Sequence, residues 1–154
     1  MGESIRGFEE QSGNIGEIEY QREFVPRHEK LWVWQKAHAL RLQLHQICRG
    51  LPADERFRLR AQIERASSSV ADNIAEGNSG YYYNIKIRSF YTARREAAET
   101  QNHIRHLEGK RFLTSREAGL LISRYGEIIR GLNGLIKRAS QKRDTSRLKG
   151  NDRL

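Results

Sequence analysis

Apolar residues recur along most of the chain at alternating spacings of four and three, the pattern of helices that bury one face. Val33, Ala37, Leu40, Leu44, Ile47 and Leu51 form the first such stripe, which ends at Gly50 and Pro52. A second runs through Leu59, Ile63, Ala66, Val70 and Ile74 and stops at Gly77, where a left-handed helix cap is expected. The third, from about Asn84, holds Phe90, Ala93, Ala97, Thr100, Ile104 and Leu107 and closes at Gly109. The fourth opens at Thr114, with Glu117 three residues on in the arrangement of a capping box, and continues through Ala118, Leu121, Tyr125, Ile128, Leu132 and Leu135. Helices of about 20 or more residues, each about 30 Å long, joined by short loops must alternate in direction. This predicts an all-α, up-down-up-down four-helix bundle.

Beside the apolar stripe of the second helix runs another line, Gln62, Ala66, Ser69, Asn73 and Glu76, again spaced by four and three. The fourth helix has Ile122, Ile129 and Ile136 one position off its main stripe. Together they make a non-solvent face wider than one bundle needs, with side chains short enough for another backbone to come close. The expectation is a homo-oligomer with Gln62, Ser69, Asn73, Glu76, Ile122, Ile129 and Ile136 at its interface; the plainer alternative is tight packing inside one bundle. Asn73, near the helix end, would find partners on loop backbone.

The stripes place the folded domain at residues 30–139. Residues 1–29 are rich in Glu and Gly and read as a flexible acidic arm, residues 1–27 carrying a net −3. Residues 140–154 carry a net +3 with almost nothing apolar and read as a disordered basic tail. The whole chain is +9, so residues 28–139 alone are also +9. Such an excess speaks to acidic partners, nucleic acid first among them, rather than to fold. Cys48 is the only cysteine, which excludes a disulfide framework and a thiolate metal cluster. No signal peptide, myristoylation signal or membrane span is discernible, and a cytoplasmic location is expected.

Enzymatic chemistry finds little support. Glu96, Glu99, His103 and His106 supply carboxylates and imidazoles on the third helix, but lie on its flank and outside, and no other helix offers the inward Glu and Glu-x-x-His of a bundle metal site. Neither a metal nor another cofactor is expected. His38 and His45, beside Arg41, read as solvated. The Gly77–Gly80 stretch lacks the length and lysine of a phosphate loop. Glu76 has no second carboxylate or His placed near it, so a structural role is the plainer one.

What remains is arginine. Arg56, Arg58, Arg60 and Arg65 on the second helix, Arg88, Arg94, Arg95 and Arg105 on the third, and Arg124, Arg130, Lys137 and Arg138 on the fourth are candidates for contacts to a nucleic-acid backbone, which the planar guanidinium grips bidentately. Tyr81, Tyr82 and Tyr83 could stack on bases or plug a bundle end. Binding of this kind is salt-sensitive and largely blind to sequence. The rival from another class is a structural homo-oligomer with a protein partner, its charge only solubilising.

The segments Leu31–Ala37, Leu51–Ala66, Ser69–Gly77 and Phe90–Arg94 resemble the four-helix-bundle family encoded by intervening sequences of large-subunit (23S) ribosomal RNA genes. That family is similar, more distantly, to the accessory variability determinant of diversity-generating retroelements. The resemblance covers about residues 30–139. It implies a bacterial or phage source, a cyclic homopentamer of bundles forming a barrel, and no catalytic activity; from the retroelement branch it implies binding of RNA and DNA and an accessory role beside a reverse transcriptase.

Overall fold

The computed structural model describes residues 25–151. The expected acidic arm falls almost wholly outside them. Four helices follow: α1 (Trp32–Arg49), α2 (Ala61–Ser79), α3 (Tyr83–Gly109) and α4 (Ser115–Asn151), with no strand among the described residues. A short 3₁₀ turn, Arg27–Lys30, precedes α1. Another 3₁₀ turn, Ala53–Glu55, and a π-helical stretch, Arg56–Arg60, lead into α2.

Contacts between neighbouring helices fix their antiparallel order. Arg41 of α1 pairs with Asp72 of α2 at 2.9 Å, and Ser68 Oγ of α2 lies 3.3 Å from His45 Nε2. Arg94 of α3 donates to Asn133 of α4 at 2.8 Å, while Gln101, seven residues on, donates to the Ile122 carbonyl at 3.0 Å. An ion pair between Lys36 and Glu127 helps close the ring between α1 and α4. The predicted stripes meet inside: Leu44, Ile63, Val70, Ile74, Ile104, Leu107, Ile128 and Leu132 are fully buried, each worth roughly 1.5–3 kcal/mol of hydrophobic stabilisation.

The small residues of α2 pack within the protomer. Ser67 and Ala71 are as buried as the stripe itself, and Gly77 lies against the ring of Phe90 in α3, where a Cβ would come within 2.6 Å of Phe90 Cε1. Gly77 is therefore helical, with no positive φ, and α2 runs on to Ser79. The expected left-handed cap is absent because this glycine supplies close approach rather than a turn. Asn73, expected to bond a loop, instead donates to Ser69 Oγ and the Ser69 carbonyl on its own helix, at 3.1 and 2.9 Å. A second close approach seats Gly131 of α4 against Val33 and Trp32 of α1.

Helix ends follow local chemistry. Thr114 and Glu117 form the capping box, the Glu117 amide donating to Thr114 Oγ1 at 3.2 Å and the Thr114 amide to Glu117 Oε2 at 2.8 Å. The latter bond holds the Glu117 carboxyl below its ordinary range. Arg111, not Gly109, takes the left-handed position after α3, at φ 64°. Its amide bonds to the Glu108 carbonyl and that of Phe112 to the Leu107 carbonyl, the paired bonds of a Schellman motif.

Two further expectations change. The α4 stripe passes from Leu132 to Ile136 and Ala139, both buried, while Leu135 is only partly covered. A turn of 3.6 residues shifts the buried line by one position here, so Ile136 belongs to the core and not to an outward interface. Residues 140–151 are not a disordered tail but the last turns of α4, continuous with the bundle and mostly exposed. No proline interrupts them, and Lys, Arg and Gln favour helix.

One buried charge ties α2 to α3. Glu96, expected on a flank clear of the core, is 6% exposed and receives Arg65 Nη1 at 3.2 Å; Arg65 Nη2 also pairs with Glu99. Arg95 stands 3.5 Å from the same carboxylate.

Adding a methyl group at Gly77 should destabilise the bundle, because overpacking against a buried ring costs about 1–3 kcal/mol while alanine in a helix returns only about 1 kcal/mol. Gly134, whose Cβ would meet nothing within 4 Å, is the control; Gly134→Ala should stabilise. Denaturant midpoints that rank the two variants the other way would refute the close approach. Arg65→Ala should cost about 1–2 kcal/mol, toward the low side of breaking a buried pair because its side chain is 56% exposed. An unchanged midpoint would show that Glu96 needs no partner.

Candidate nucleic-acid interface

The twelve predicted basic residues do not form one surface. Arg60 pairs with Glu64, Arg65 with Glu96 and Glu99, Arg105 with Glu108 and, more loosely, Arg95 with Glu96, so four stand in ion pairs on the bundle itself. Arg124 donates to Gln43 across the α1–α4 seam at 3.3 Å. Arg56 and Arg58 project from the π-helical stretch, Arg56 lying over the ring of the exposed Phe57. They belong to the end of the bundle where Glu55 pairs with Lys110, far along α3 from Arg88. Arg130 and Lys137 are exposed on α4.

Three of the twelve come together. Arg88, Arg94 and Arg95 of α3 line an open cleft of about 730 Å³ between α3 and α4, together with Tyr91 of α3 and Ile129 and Asn133 of α4. Arg94 sits over the Tyr91 ring, 4.7 Å from its centroid, and is fixed from the other side by Asn133. Tyr91 is 46% exposed, so a flat aromatic face and guanidinium groups share one groove. Guanidinium groups beside an aromatic ring suit phosphate contact combined with base stacking. Tyr91 escaped the sequence reading because nothing in its spacing marks it; the signal was its position three residues before Arg94, one helical turn away.

Arg138 lies elsewhere, bordering two smaller cavities near the start of α3 and the last turns of α4. The tyrosine loop between α2 and α3 does not plug the bundle. Tyr81 and Tyr82 are 87% and 65% exposed and meet edge to face, with centroids 5.1 Å apart.

The expected oligomer contacts divide likewise. Gln62 and Glu76 are exposed, Ser69 and Asn73 half-buried, and Ile122 and Ile129 rest against the edge of the core, Ile129 also lining the basic cleft. Ile136 faces inward, as described above.

The histidines thought solvated are half-buried and engaged. His38 stacks on Trp34 at 4.8 Å between ring centroids and accepts from Arg41 Nε at 3.0 Å, while His45 meets Ser68. His103 lies 3.4 Å from Glu99, which Arg65 already occupies. Among the described residues no group of three His, Cys, Asp or Glu side chains is placed to hold a metal ion. Cys48 is fully buried, and that burial, with Glu64 nearby, pushes its thiol up to about 11, so it is protonated at neutral pH. Among the described residues no helix is long and apolar enough to cross a membrane.

Comparison with known proteins bears on this arrangement. A search of curated proteins found no match. A crystal structure at 1.70 Å of a protein of unknown function from the S23 ribosomal protein family of Bacteroides thetaiotaomicron VPI-5482 superposes with a TM-score of 0.63 at 23% identity, covering 68% of this chain and 95% of that one. At that identity the likeness is one of fold. The family model for the 23S rRNA-intervening sequence protein matches residues 29–134, which span all of α1, α2 and α3 and the first half of α4. With its helices in the predicted order and the motifs of α1 to α3 inside the matched span, the chain belongs to the 23S rRNA-intervening sequence protein family.

Proposed function

We propose that this protein is a non-enzymatic, homo-oligomeric bundle that binds the backbone of single-stranded nucleic acid in the α3–α4 cleft. The observation that carries the reading is the cleft itself, where Arg88 and Arg95 share the lining with Tyr91 and Arg94 is stacked on its ring. The names of the family and of its structural neighbour refer to ribosomal RNA and a ribosomal protein, which favours RNA over DNA as the natural ligand. Exposed Gln62 and Glu76, with half-buried Ser69 and Asn73, leave a contact line on α2 that supports self-association, and the resemblance noted above suggests a homopentamer. The same resemblance extends the reading to an accessory role beside a reverse transcriptase.

Titration of labelled single-stranded RNA and DNA at two salt concentrations tests the binding. Affinity should fall steeply with salt, and the Arg88→Gln, Arg95→Gln double variant should flatten the logarithmic slope by about 1.4, two phosphate contacts at roughly 0.7 each. No binding at low salt would favour the rival, a structural oligomer with a protein partner and a merely solubilising charge. Sedimentation at micromolar concentration tests assembly separately: a stable lone protomer would remove the oligomer from the proposal.

A further inference from the structure

The third helix carries a lysine where its stripe calls for an apolar residue. Lys86 precedes Phe90, Ala93 and Ala97 in the same alternation of four and three, and so turns toward the bundle interior at its end. It is half-buried and borders a cavity of about 260 Å³, more enclosed than the α3–α4 cleft. Arg27, Arg138 and Lys142 border the same cavity, bringing four cations together from three segments of the chain.

Lys86 donates to the Asn78 carbonyl at 3.2 Å, but among the described residues no carboxylate forms an ion pair with any of the four. Desolvation, then Arg27 and Lys142, lower the pKa of Lys86, the expected response of an ammonium held among like charges. Asn78 also lines the cavity, and its Nδ2 is buried with no hydrogen-bond partner. Buried donors are nearly always paired. Four cations with no carboxylate partner among the described residues, beside a donor without an acceptor, give this cavity the chemistry of an anion-binding site.

The surroundings narrow the anion. Arg138 and Lys142 also line an adjoining cleft with Tyr83, and the exposed rings of Tyr81 and Tyr82 follow Asn78 by three and four residues. An internal phosphodiester continues on both sides and fits an open groove. A terminal phosphomonoester has one substituent, carries up to two charges and suits a smaller, less open cavity bordered by four cations. We infer that the cavity bordered by Arg27, Asn78, Lys86, Arg138 and Lys142 binds the terminal phosphate of a nucleic-acid strand, with one ring of the edge-to-face Tyr81–Tyr82 pair stacking on the terminal base. This rests on the nucleic-acid reading and adds strand ends to it.

The test uses the full chain and one short single-stranded RNA in three forms: 5′-phosphorylated, 3′-phosphorylated, and with hydroxyls at both ends. A terminal phosphate at one end or the other should tighten binding about tenfold at equal salt, in keeping with a set of charge-assisted hydrogen bonds. Lys142→Gln, an exposed position that does not threaten folding, should abolish the preference. So should Asn78→Asp, which puts an acceptor where the unpaired donor stands; both variants should still bind the hydroxyl-ended strand through the α3–α4 cleft. Equal affinity for all three strands would overturn the end site and leave the cleft standing, whereas no binding of any strand, with no binding of inorganic phosphate, would overturn both. A preference that survives in both variants would move the phosphate out of this cavity. Inorganic phosphate competing as well as the phosphorylated strand would identify free phosphate as the ligand and remove the tyrosines from the account.

Discussion

The contact on which the bundle depends is the close approach of α2 and α3, made possible where α2 carries Ser67, Ala71 and Gly77 toward its neighbours. The Phe90 ring occupies the space a Cβ at Gly77 would need. Packing that near leaves no room for a helix to turn about its own axis, since interiors are filled as densely as organic crystals. The rotation of α3 is thereby set, and with it the direction of every side chain along that helix. Glu96 turns into the α2–α3 boundary, where Arg65 meets it; Arg94 turns the other way, toward Asn133 of α4; Arg88 and Arg95 look outward between them. The basic cleft thus follows from a seam of small residues on a different helix.

Charge is sorted by the same geometry. A chain of net +9 must hold its cations apart or pair them, and here both occur. Arg60, Arg65 and Arg105 are tied to carboxylates on the bundle. At the α3–α4 cleft Arg95 stands near Glu96 but Arg94 meets the neutral Asn133 and Tyr91, and at the cavity by the start of α3 Lys86 meets the Asn78 carbonyl. Unpaired guanidinium and ammonium groups create a local positive potential that attracts an anionic chain and focuses it in a concave, low-dielectric wall. The net charge alone does not locate this field; the positions of the carboxylates do.

The fold was legible because helix stripes depend on spacing along one chain. Val33 to Leu44, Leu59 to Ile74 and Phe90 to Leu107 are buried as their periodicity demands, and the capping box at Thr114 needs only residues three apart. What the sequence did not yield depends on a partner from another helix. Gly77 carries the same letter whether it caps a helix or admits a ring, and only Phe90, 13 residues away, distinguishes the two. Arg65 and Glu96 are separated by 31 residues, so neither looked paired. The last turns of α4 lack the apolar stripe by which helices were identified, yet helix propensity and continuity with a buried segment carry them to Asn151. Ile136 was misread because a repeat of four and three gradually drifts against a true 3.6-residue turn.

The two basic sites are related through α3. Arg88 borders the open cleft while Lys86, two residues earlier and so on a different face of α3, borders the smaller cavity, and one turn of helix presents cations to both. α4 borders both as well, with Ile129 and Asn133 at the cleft and Arg138 and Lys142 at the cavity, and its extension beyond the buried stretch is what carries Lys142 there. The two sites differ in chemistry: an aromatic ring with guanidinium groups lines the cleft, while two lysines, Arg27, Arg138 and the Asn78 amide line the cavity. If strand ends bind where proposed, that difference would let a sequence-blind surface respond to where a strand stops rather than to which bases it carries.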